Sequence, residues 1–86
     1  MKVPGYELSE HAADVIAERE IAITWVMRVL AEPEWIESDR PDPALRHVLG
    51  QIAERDDRVL RVLYNALVDP PRIVTAYLDR RQRGKA

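Results

Sequence analysis

The chain has 86 residues, no cysteine, two histidines and a formal net charge of -2, which exclude disulfide staples, thiolate zinc sites and a histidine-rich metal cage. One domain of this length sits near the lower limit at which a single core folds unaided, so a homodimer is an expected assembly. No apolar run approaches the roughly 20 residues that cross a bilayer, and Met1-Lys2-Val3-Pro4-Gly5 lacks a signal-peptide apolar core, so we expect a cytoplasmic protein with no membrane contact, metal or cofactor.

Tyr6-Glu7-Leu8 reads as a short first strand. Ser9 follows as a helix N-cap, with Glu10 favouring the positive end of the helix dipole. Ala12, Val15 and Ile16 recur at helical spacing, which predicts a helix over about 9–19. A second helix is predicted over about 23–31, burying Val26, Val29 and Leu30, with Pro33 ending it or opening the connection. Trp35-Ile36 fits either a short strand or a loop anchor. Ser38-Asp39-Arg40-Pro41-Asp42-Pro43 is a polar, proline-bearing connection.

Arg46 to Ile52 reads as a strand with Val48 and Ile52 toward the helices and His47, Leu49 and Gln51 on the other face. Gly50 marks a close approach or a bulge. After the charged turn Ala53-Glu54-Arg55-Asp56-Asp57, two alternating segments, Arg58 to Asn65 and Arg72 to Asp79, are punctuated by Val68-Asp69-Pro70-Pro71 and predict a β-hairpin. Period two sends Leu60, Val62 and Tyr64 to one face and Arg61 to the other. In the second segment it sends Val74, Ala76 and Leu78 to the apolar side and leaves Ile73, Thr75 and Tyr77 opposite. Arg80-Arg81-Gln82-Arg83-Gly84-Lys85 then forms a basic tail expected to be mobile. The fold class is α+β, with two N-terminal helices on one face of an antiparallel β-meander; residues 6–81 form the domain and 82–86 the flexible tail.

Charge is split along the chain. Residues 1–45 carry ten acids and four cations, and residues 46–86 carry five acids and nine cations, giving -6 followed by +4. The second half suits a polyanion such as RNA and the first half repels one, so binding would be local and oriented. Ordinary surface charge is the alternative.

The same alternation places His47, Arg61, Thr75 and Tyr77 on the sheet face away from the helices. That set suits phosphodiester cleavage without metal: Arg61 stabilises charge on the phosphate, His47 or Tyr77 moves protons, and RNA supplies its own 2'-hydroxyl nucleophile. The alternative is a solvated polar face. His11 and Arg19 lie two helical turns apart and can share a flank, although a histidine there more often anchors the helix to the sheet. Trp25 and Trp35 suit core packing better than base stacking. The tail cations Arg80, Arg81 and Arg83 either track a phosphate backbone or form a solvated terminus.

His11-Ala12 with Glu18-Arg19 and Ile21, Trp25-Val26 with Val29-Leu30 and Pro33, Arg58-Val59-Leu60-Arg61-Val62, and Val74-Thr75-Ala76-Tyr77-Leu78-Asp79-Arg80-Arg81 together resemble the bacterial family called domain of unknown function 4258. That family is similar in fold to the RelE/ParE toxin superfamily. The resemblance implies two helices on one side of an antiparallel sheet and a toxin-type, RNA-binding protein, with metal-independent cleavage of free or ribosome-bound RNA opposed by a small antitoxin. It carries a helix-opening histidine onto His11, a helix-end arginine onto Arg19, a strand arginine onto Arg61, and a strand-end tyrosine and arginines onto Tyr77, Arg80 and Arg81. Two positions depart from the family: Val15 replaces an arginine one turn after the histidine, and Glu20 replaces a glycine before Ile21. Fold does not fix function, so a non-catalytic protein-interaction module stands beside the ribonuclease.

Overall fold

In the computed structural model, which describes residues 3–83 and the side chains of residues 3–79, Ser9 follows a two-residue strand, β1 (Glu7–Leu8), and caps α1 (Glu10–Glu18). Its hydroxyl accepts from the Ala12 N–H at 3.0 Å, satisfying a donor that the first helical turn leaves unpaired. The helix ends in a Schellman motif: Ile21 N–H donates to the Ile16 carbonyl and Glu20 N–H to that of Ala17. Glu20 therefore takes the left-handed position, with φ 56°. Ile21 and Ile16, at the two ends of the longer bond, are both buried in the core.

A second helix, α2 (Ile23–Ala31), precedes β2 (Trp35–Ser38), β3 (Leu45–Ile52), a 3-10 turn at Ala53–Arg55, β4 (Arg58–Asn65) and β5 (Arg72–Arg83). β3, β4 and β5 form the expected meander. β2 adds antiparallel to β3, and β1 adds parallel to β5, giving a mixed sheet in the order β1-β5-β4-β3-β2. Trp35-Ile36 is thus strand rather than loop anchor. α1 packs on β5, and α2 on β3 and β4. Between helices and sheet lie Ile16, Val26, Ile52, Leu60, Val62 and Ala76. Gly50 supplies the close approach: a Cβ there would stand 3.1 Å from Val29 Cγ2. No helix among the described residues is long and apolar enough to cross a membrane.

Two expectations are corrected. A register shift in β5 leaves Val74 between the pairs Tyr64–Ile73 and Leu63–Thr75, so one residue is added to the strand. Strict alternation fails across that bulge. Ile73 turns into the helix-covered core, fully buried, and Val74 is only half-buried. The strand also continues past Asp79 to Arg83, whose backbone pairs with Arg58, so residues 80–83 belong to the sheet rather than to a mobile tail. The side chains of Arg80, Arg81 and Arg83, and all of residues 84–86, lie outside the described residues.

Candidate functional site on the open sheet face

The register builds the face opposite the helices row by row. One row runs Trp35, Leu49, Arg61, Tyr77 across four strands, and the next runs Glu37, His47, Leu63, Thr75. His47, Arg61, Thr75 and Tyr77 therefore share this face, as alternation predicts. Arg61 occupies its centre and is only 8% exposed. Directly across from it is Leu49, fully buried on a face that no helix covers, as expected where long amphipathic stems shield apolar neighbours while their charged ends find partners.

The guanidinium is held from both sides. Nε donates to Asp79 Oδ2 at 3.0 Å, and Nη2 lies 2.9 Å from the same oxygen. On the other side Nη1 donates to Glu37 Oε1 at 3.0 Å and to His47 Nδ1 at 2.8 Å. Since a guanidinium has only donors, His47 Nδ1 must accept, which puts the ring proton on Nε2. That nitrogen then donates to Asp39 Oδ1 at 2.8 Å. Asp39 is itself fixed, since its Oδ2 accepts from the Asp42 N–H.

The result is a continuous chain, Asp39–His47–Arg61–Asp79, with Glu37 as a side branch. Burial works against the charge on Arg61. Hydrogen bonds to Glu37 and Asp79 and the nearby Tyr77 and Glu37 outweigh it, raising the arginine pKa above its ordinary value. Arg61 is a permanent cation.

The remaining candidates fall elsewhere. His11 is exposed on α1, on the opposite side of the sheet, and its ring makes no hydrogen bond among the described residues. It is thus neither on the open face nor an anchor for the helix; Ser9 is the anchor, its N–H donating to the Ile73 carbonyl and its hydroxyl to that of Val74. Arg19, the C-cap of α1, is also exposed on the helix side and lines a cleft with Arg55, Arg58 and Leu78. Trp25 is half-buried beneath Arg55, whose guanidinium lies 5.9 Å from the ring centre. Trp35 is half-buried at the end of the Arg61 row.

Three carboxylates were not singled out from sequence. Asp79 was within reach of the pattern, since it has the parity of Tyr77 and sits diagonally across from Arg61. Glu37 becomes readable once Trp35–Ser38 is taken as a strand. Asp39 has no periodic signal, because it reaches His47 from a connection. Among the described residues no group of three or more histidines and carboxylates is placed to hold a metal ion.

No curated protein and no solved structure is matched by this chain. A family model, the domain of unknown function DUF4258, does match it, over residues 8–78. Those limits take in both helices and Glu37, Asp39, His47, Arg61 and Tyr77, stopping just short of Asp79, so the protein belongs to the DUF4258 family.

Proposed function

We propose that this protein acts by binding a partner rather than by cleaving one, as a non-catalytic interaction module on a RelE-like fold. The observation that carries the reading is the commitment of Arg61. Stabilising a phosphodiester transition state requires N–H groups aimed where charge develops. Here Nε and Nη1 make three hydrogen bonds to Asp79, Glu37 and His47, and Nη2 is drawn against Asp79. His47 is equally occupied, with one nitrogen accepting from Arg61 and the other donating to Asp39. Among the described residues, Arg61 and His47 are thus engaged by protein partners rather than held open as a phosphate clamp or a base. Val15, where the family has an arginine, removes another cation. For binding, β2 offers an outer edge that pairs with no other strand among the described residues, and Ile36 on it is 65% exposed.

RNA cleavage by a toxin-type endoribonuclease, with a ribosome or free RNA as substrate and a small antitoxin as partner, is the second reading. What favours it is that His47, Arg61 and Tyr77 do converge, with the imidazole oriented by Asp39. A substrate phosphate would then have to displace Glu37 from Nη1. Purified protein incubated with free RNA and with translating ribosomes, in the presence of a chelator, separates the readings. We expect intact RNA in both. Metal-independent cleavage that disappears in a folded Tyr77→Phe variant would establish the enzyme instead.

A further inference from the structure

The side chains of four arginines make no hydrogen bond or ion pair among the described residues: Arg19, Arg40, Arg55 and Arg58. Three of the four line a single cleft of about 330 Å³ on the helix side of the sheet, floored by Leu78. Arg19 comes from the end of α1, Arg55 from the 3-10 turn and Arg58 from the start of β4. Carboxylates are not scarce in this chain, which carries fifteen, and Arg28, Arg61 and Arg72 are all paired with them. Even the acids adjacent in sequence, Glu18, Glu20, Asp56 and Asp57, form no ion pair with the three. Convergent like charges repel, and an anion between them relieves that repulsion.

We propose that this cleft binds a phosphate group of RNA. Guanidinium forks match the oxygens of a phosphate in planar, paired hydrogen bonds. Arg55 is already oriented on the Trp25 ring, which lowers the entropy lost on binding. Arg58 is positioned on a paired strand and Arg19 at a helix end, so two of the three cations rise from regular structure. The site lies on the opposite side of the sheet from Arg61 and does not depend on what the open face does.

The test is titration of the full chain, followed by backbone amide NMR and by fluorescence anisotropy, with a single-stranded RNA oligonucleotide, a nucleoside monophosphate and polyglutamate as separate probes. RNA should shift the signals of residues 19, 55 and 58, and its log affinity should fall with log salt. Replacing Arg19, Arg55 and Arg58 together by glutamine should weaken RNA binding at least tenfold and flatten that slope, whereas Arg40→Gln should leave both near the parent values. Shifts at the same residues with the monophosphate would assign the cleft to free phosphomonoesters as well; their absence would restrict it to the polymer backbone. Each single glutamine variant keeps the experiment readable should the triple variant fail to fold. Unchanged RNA affinity in folded variants would overturn the proposal, as would polyglutamate binding as tightly as RNA with the same loss, which would make an acidic protein the ligand.

Discussion

Arg61 and Asp79 meet diagonally across β4 and β5, with Nε and Nη2 of the arginine at 3.0 and 2.9 Å from one carboxylate oxygen, and both residues are under one-tenth exposed. Removing either partner takes from the other a contact that offsets its poor hydration. Arg61→Met, which retains an apolar stem over Leu49, should cost about 3 kcal/mol, typical of breaking a buried pair from one side. Asp79→Asn should cost a similar amount. Replacing both, Arg61→Met with Asp79→Leu, should cost much less than the two single losses combined, because neither half of the pair is left behind. Urea denaturation of the four proteins measures the coupling. Additive losses would show that the pair is not the unit that matters here.

Gly50 and Val29 show how closely α2 approaches the sheet. A methyl group at position 50 would sit 3.1 Å from Val29 Cγ2, tighter than ordinary contact, and Val29 is buried and β-branched, with little freedom to move aside. Gly50→Ala should therefore destabilise by about 1–3 kcal/mol through overpacking. In a Val29→Ala background the same substitution should be neutral or stabilising, since the crowding atom is gone and alanine orders a strand better than glycine. Thermal midpoints of the two pairs provide the comparison. An equal penalty in both backgrounds would locate the constraint elsewhere.

The helices and the first strand of the hairpin were legible because each rests on local rules that nothing overrode. Ser9 caps as serines do, the stripe of Ala12, Val15 and Ile16 faces the sheet, and the alternation from Arg58 to Asn65 holds throughout. It failed at Ile73, where one extra residue in β5 reverses the faces on one side of the bulge, and periodicity carries no mark of such an insertion. The site was half legible for the same reason. Strand parity placed His47, Arg61 and Tyr77 together, and Asp79 shares it, but parity does not say that Glu37 and Asp79 would close on Arg61 or that Asp39 would reach His47 from a connection. The grouping of Arg19, Arg55 and Arg58 depends on where a helix end, a turn and a strand start meet in space. No sequence window spans it.

Tyr6 stands edge-on to Tyr64, with ring centres 5.4 Å apart and planes at 86°. Burial raises the Tyr6 pKa, and the neighbouring Tyr64 raises it further. A folded-state pKa above the unfolded value of about 10 means the native state keeps its proton at pH values where the unfolded chain releases it. Stability from this group is thus fully present below pH of about 10 and is lost as pH rises through the folded pKa. Tyr6→Phe, which retains the ring, should show a shallower alkaline decline than the parent in chemical denaturation series. Parallel curves would mean that Tyr6 ionises freely in the native protein.

Glu20 occupies the left-handed position of the Schellman motif that ends α1, with φ 56°. A side chain there crowds its own carbonyl, at a cost of roughly 1–2 kcal/mol relative to a right-handed residue, and glycine escapes that cost because it has no Cβ. Glycine gives back part of the gain by making the unfolded chain more flexible. Glu20 is exposed and makes no hydrogen bond through its side chain among the described residues, so little else is lost with it. Glu20→Gly should accordingly stabilise the protein by about 0.5–1 kcal/mol, a net of those two opposing effects. It should do so while leaving the RNA binding proposed for the adjacent Arg19 cleft intact or slightly stronger, because one nearby negative charge is removed. Alanine at the same position should not stabilise, since it retains the Cβ. Equal stabilisation by Glu20→Gly and Glu20→Ala would trace the effect to charge rather than to backbone conformation.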